Sequence, residues 1–209
     1  MLKHIPGAAL ALCLVGLLAG QAIAQTAPAT PAPPTRIRGT IASLAGQTLT
    51  VNSRDGQKLE VTLADNVTVA TVKKVDLASI AAGSYIGTAT RTGTGGTLQA
   101  IEVLVFPDSM RGASEGHFPW DLEPGSMMTN GTISGAAAAP AGRELTATYK
   151  DGSKTVHVPP ETPVVTFGPA EKADLKPGAP VFLAAAKNAE GKFTAARVTV
   201  GKDGVAPPM

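Results

Sequence analysis

One hydrophobic alternation is written twice along this chain, and that duplication constrains the fold more than any other feature. Gly39-Thr40-Ile41 returns as Gly131-Thr132-Ile133, and Leu49-Thr50 as Leu145-Thr146. Asp55-Gly56 ahead of Lys58 matches Asp151-Gly152 ahead of Lys154. From Val61/Val156 to Val103/Val198 the matches keep a single offset of 95 residues. One small unit is therefore present in two copies, and it has to be seen before elements are assigned.

Within each copy the period is two. Ile37, Gly39 and Ile41 share a face opposite Arg38 and Thr40, and Leu59, Val61 and Leu63 alternate with Lys58, Glu60 and Thr62. This is the pattern of half-buried strands. Arg54-Asp55-Gly56-Gln57 reads as a hairpin turn, because Asp-Gly tolerates the positive φ of tight hairpins. Asp76 can cap a short helix carrying Leu77 and Ile80, with Gly83 as its stop. In the second copy Asp174–Gly178 is expected to replace that helix with a plain turn. Thr92–Gly96 lacks the Lys-Ser/Thr ending of a phosphate loop and reads as a glycine hairpin. Five to six strands and at most one short helix per copy is the layout of a small OB-like barrel, whose closure removes exposed sheet edges. The expected fold class is all-β: two tandem OB-like β-barrels, residues 36–106 forming the first and 130–201 the second.

The N-terminus reads as a targeting segment. A basic start, Met1–His4, precedes an apolar run from Ala8 to Gly20, and Ala22-Ile23-Ala24 supplies small residues for cleavage before Gln25. Residues 1–24 are thus expected to be a signal peptide and the mature chain to be periplasmic or secreted. The apolar run is shorter than the ~20 residues of a spanning helix, and no later segment is long enough either, so no membrane span is expected. Residues 25–35 are Ala, Pro and Thr with one Gln, and read as a disordered tether. Residues 202–209 form a tail.

Cys13 is the only cysteine and lies inside the signal, leaving the mature chain without disulfide or thiolate. A disulfide-free exported chain points to a bacterial periplasm. Removing Lys3 lowers Lys+Arg from 18 to 17 against 16 Asp+Glu, and no basic run exceeds Lys73-Lys74. That balance lacks the clustered positive footprint of a nucleic-acid binder.

Chemistry has one obvious place to sit. Residues 107–129 join the copies and resemble neither, and a connection this long inside a compact chain is usually functional. It is read as an ordered inter-repeat loop, because Phe118, the only Trp (Trp120) and Leu122 are apolar groups that seek burial. Phe118-Pro119-Trp120 is expected to pack between the barrels, and His117, Phe118, Trp120 and Asp121 are the candidate binding residues. An alternative uses Met110, His117, Asp121, Met127 and Met128 as metal ligands, since thioethers with imidazole favour Cu(I). The spacing matches no regular ligand motif. Catalysis is not expected: the chain has no Gly-x-Ser-x-Gly elbow and no His-Glu-x-x-His, and its loop carboxylates Asp108 and Glu115 have no fixed separation.

Ala173-Asp174-Leu175-Lys176-Pro177-Gly178, a strand, then Gly191-Lys192-Phe193-Thr194-Ala195-Ala196-Arg197-Val198 carries a further signal. The first copy has a weaker version in Gly83 and Gly96–Val103. This ending resembles an exported bacterial family of domains of unknown function built from small OB-like β-barrel repeats. Some of its members are labelled metal ABC transporter permeases, a label at odds with a chain lacking a span. The shared motif is structural and implies no catalytic residue. The expectation is a non-enzymatic periplasmic binding or interaction protein, without cofactor, serving an unknown periplasmic ligand or envelope protein; the alternative is a periplasmic handler of Cu(I) or a divalent metal.

Overall fold

Alternation becomes strand wherever it was expected. In the computed structural model, which describes residues 33–207, the chain starts with β1 (Thr35–Ala45), β2 (Thr48–Ser53) and β3 (Lys58–Lys74). Gly46 and Gly56 take positive φ (59° and 77°) in the two turns between them, which glycine does at no steric cost. β4 (Tyr85–Thr92), β5 (Leu98–Val105), β6 (Gly116–Pro119) and β7 (Met127–Ala139) follow. β8 (Gly142–Tyr149), β9 (Gly152–Val158), β10 (Val164–Pro169), β11 (Pro180–Lys187) and β12 (Phe193–Val200) complete the chain. The expected signal peptide and most of the expected tether lie outside the described residues. Thr35, assigned to the tether, instead opens β1 and pairs with Ala185.

Two five-stranded rings close. The first runs β1-β2-β3-β12-β11 and returns to β1. The second runs β7-β8-β9-β5-β4 and returns to β7. In each, one pairing is parallel, β12 with β3 and β5 with β9, and the other four are antiparallel. The protein is all-β, with small closed barrels as expected.

The partition of the chain between the barrels differs from the expectation. Residues 36–106 do not close one ring and 130–201 the other. The last two strands of each copy cross over, so the first barrel takes β11 and β12 while the second takes β4 and β5. As a result the second barrel is contiguous, from Tyr85 to Val158. The first is split between residues 35–74 and 180–200. The crossing occurs at β3 and β10, which pair antiparallel with Val72 opposite Phe167, two positions 95 apart. The parallel pairings keep the same offset: Val61–Phe193 in the first barrel answers to Val156–Leu98 in the second.

Apolar residues of both copies fill each barrel. Ile37, Leu49, Val61 and Leu63 meet Leu183, Val198 and Val200 in the first, all at most 2 % exposed. Ile86 and Val103 meet Ile133, Leu145 and Val156 in the second. A smaller cluster of Val72, Leu104 and Val165 lies beneath the crossing. The short helix expected after Asp76 is one 3-10 turn, Leu77–Ser79, capped by the Asp76 side chain accepting from Ala78 N–H at 2.8 Å. Its counterpart in the second copy is not a plain turn: Lys172–Asp174 forms a 3-10 turn with a reciprocal Glu171/Asp174 capping box.

Candidate functional site: an aromatic groove between the barrels

The joining segment is more structured than a loop. It makes a 3-10 turn at Asp108–Met110, then β6, which pairs with β7 so that His117 faces Thr129 and Phe118 faces Met128. Directly opposed residues of an antiparallel pair share a face, and successive residues alternate. β6 and β7 therefore sort the candidates into two groups. Phe118, Trp120, Met128 and Asn130 turn to a groove beside the first barrel; His117, Met127 and Thr129 turn the other way.

That groove has a volume of about 370 Å³ and is mostly apolar. Phe106, Phe118, Phe167 and Phe182 line it together with Trp120, so it holds four of the five phenylalanines and the single tryptophan. All five rings are only half-buried. Phe106 packs on Phe167 with centroids 6.1 Å apart, and Phe118 meets Trp120 edge-on at 6.0 Å. Phe182 comes from the outer face of β11, where it pairs with Arg38 of β1. The floor depends on Gly87 of β4, where a Cβ would come within 2.6 Å of the Asn130 side chain and 3.0 Å of the Phe106 ring. Asn130 donates from Nδ2 to the Ser114 carbonyl at 2.9 Å and so ties down the preceding turn. Its buried Oδ1 has no hydrogen-bond partner among the described residues.

Charge gathers at one end. The Arg36 guanidinium lies 3.8 Å from the centre of the Trp120 ring, and Arg38 sits 5.7 Å from it and 5.2 Å from Phe182. Stacking of this kind contributes on the order of 0.5–2 kcal/mol, more as it is desolvated. Arg38 donates to Asp121 at 2.9 Å, and Arg36 approaches the same oxygen at 3.6 Å. Arg54 reaches the Leu122 carbonyl at 3.5 Å on the far side. Two buried donors, Trp120 Nε1 and Arg38 Nε, have no acceptor among the described residues.

These surroundings set the protonation of the site. Burial raises the Asp121 pKa, but the Arg38 hydrogen bond and the charges of Arg38 and Arg36 outweigh it and hold the carboxyl below its ordinary value. A depressed folded-state value means that the ion pairs stabilise the protein fully above the ordinary carboxylate range, near pH 4, and lose that contribution as pH falls through the lower value. Asp121→Asn is accordingly expected to flatten the melting-temperature profile below roughly pH 4.5. An unchanged acid slope in the variant would show that the contact does not stabilise the fold.

His117 is placed apart from this cluster. Its Nδ1 is 2.9 Å from Thr129 Oγ1 and its ring stacks on Tyr149 at 6.4 Å. Burial, then the charge of Lys154, lowers its pKa. The five residues of the metal alternative are divided by this geometry. Met110 and Met128 face the groove, His117 and Met127 the opposite side, and Asp121 is engaged by two arginines. Among the described residues no three His, Cys, Asp or Glu side chains cluster as metal ligands.

Of the binding candidates, Phe118 and Trp120 come together in the groove, with Asp121 at its edge and His117 outside it. The residues missed from sequence were Arg36, Arg38, Phe106, Phe167, Phe182 and Arg197. One signal was available: Phe182 alternates with the buried Val181 and Leu183, so a large aromatic stood at an outward-facing position. Among the described residues no helix is long and apolar enough to cross a membrane. Comparison with protein-family models, with curated proteins and with solved structures yields no match to this chain.

Proposed function

We propose that this chain is a non-enzymatic binding protein of the bacterial periplasm whose site is the groove between its barrels. The observation that carries the reading is the concentration there of four phenylalanines and the only tryptophan, none of them fully buried. Aromatics that serve packing alone are sunk into a core, whereas these keep part of each ring open to a cleft of small-molecule size. The export signal and the resemblance to exported barrel-repeat domains support the compartment.

The reading makes Trp120 a reporter, since no other tryptophan contributes emission. The neutral apolar dye N-phenyl-1-naphthylamine is expected to brighten on addition of the protein and to quench Trp120 by energy transfer. Trp120→Ala should weaken the dye by about 1–2 kcal/mol, on the order of five- to thirtyfold, the effect of losing one aromatic wall. A dye that stays dark, or that binds the variant equally well, counts against the groove as the site.

A further inference from the structure

The groove is apolar in its walls and one-signed in its charge. Arg36 and Arg197 line it, and among the described residues no carboxylate does. Arg197 is exposed, and its guanidinium donates to the thioether sulfur of Met110 at 3.9 Å; among the described residues it forms no ion pair. Arg36 has a carboxylate in reach, yet Asp121 is already bonded more closely by Arg38. Two guanidinium groups therefore bound an aromatic cleft with little opposing charge. Trp120 Nε1, a buried donor of the same residue that Arg36 stacks on, has no acceptor among the described residues.

The Arg197 guanidinium keeps its donors toward solvent and Arg36 keeps donors that Asp121 does not take, so both are open to an acceptor anion that enters with an apolar body. Arginine suits this role, because its planar fork takes a carboxylate or phosphate through two parallel hydrogen bonds and still stacks on aromatic faces. We infer that the groove binds an anionic amphiphile, its carboxylate or phosphate head held between Arg36 and Arg197 and its apolar body lying on Trp120, Phe118 and Phe182. This deepens the reading of the groove as the binding site and rests on it.

The test compares chains of one length and different heads, below their micellar concentrations, by calorimetry and Trp120 emission. Laurate is expected to bind at least about tenfold more tightly than dodecanol, and dodecyltrimethylammonium more weakly than either. Dodecyl phosphate separates the two anionic heads: stronger or weaker binding than laurate assigns the head as phosphate or carboxylate. The Arg36→Gln/Arg197→Gln variant should bring laurate down to the level of dodecanol measured on the same variant. Salt gives a check that needs no variant, since exposed charge pairs are screened: 0.5 M NaCl should weaken laurate and not dodecanol. Equal binding of laurate and dodecanol, or laurate binding indifferent to salt, overturns the anionic head while the groove stands. Failure of every amphiphile to bind overturns the groove reading as well.

Discussion

Leu145→Ala is expected to unfold both barrels, whereas Leu183→Ala, a truncation of the same size at an equally buried position, is expected to open only one. Each leucine is 1 % exposed, Leu145 in the second barrel and Leu183 in the first. Leucine-to-alanine changes at such sites cost about 3–5 kcal/mol, through lost transfer energy and the cavity left behind. The asymmetry comes from connectivity. The second barrel is one continuous stretch of chain, so its ring closes without a strand from outside it. The first must join strands before Lys74 to strands after Pro180, and the second barrel is what bridges them. Once the bridge unfolds, the first barrel has to close a loop of roughly 100 residues, at an entropic cost of about 4 kcal/mol before the constant term. Hydrogen exchange read peptide by peptide would check this in mild denaturant. Deprotection of β1–β3 in Leu145→Ala, with β7–β9 still protected in Leu183→Ala, is the expected pattern. Loss of both barrels in both variants would mean that the crossing strands fuse them into one cooperative unit.

Gly131→Ala is expected to be the most damaging single-methyl addition in β7, and Gly39→Ala to match it in β1. A Cβ at Gly131 would stand 2.6 Å from the Thr148 carbonyl oxygen, and one at Gly39 would fall on the Asn52 carbonyl. Both obstacles are backbone, so neither can swing aside as a side chain would. Each glycine sits just before a register shift, between Ile133 and Gly135 in one barrel and Ile41 and Ser43 in the other. Glycine inside a strand commonly marks such a close backbone approach. Forcing a methyl group in should cost about 1–3 kcal/mol, at the upper end because backbone must move. Gly135→Ala is the control: its nearest atoms would be Thr146 side-chain atoms at 3.8 Å, an ordinary contact. It should change stability by less than about 0.5 kcal/mol. Urea melts of the three variants decide the matter; equal midpoints would refute the steric account.

Strands and turns were legible because alternation and Asp-Gly pairs act over a few residues. Which strands share a barrel was not. Alternation shows that a strand has a face to bury and says nothing about which copy buries it. Because both copies carry the same pattern, β4 and β5 suit the ring of β1–β3 as well as that of β7–β9. The choice is made at β3, a 17-residue strand that runs on through Lys74 instead of turning back. The groove was half legible for a related reason. Phe118 and Trp120 stood out as aromatics in a segment foreign to both copies. Arg36, Phe167, Phe182 and Arg197 come from four separate strands, and only the crossing brings them to one place. His117 and Asp121 were grouped with the aromatics by proximity along the chain. The pleat then sent His117 to the opposite face.

The split of the first barrel also sets a timetable. A nascent polypeptide emerges amino end first, so β1, β2 and β3 appear long before Phe193–Val200, the staves that seal their ring. Until β12 has been made, the flank of β3 that will meet it stays open, an invitation to wrong partners. The barrel begun first closes after the second is complete, and a chaperone working on this chain would have to shield its opening strands until β12 emerges.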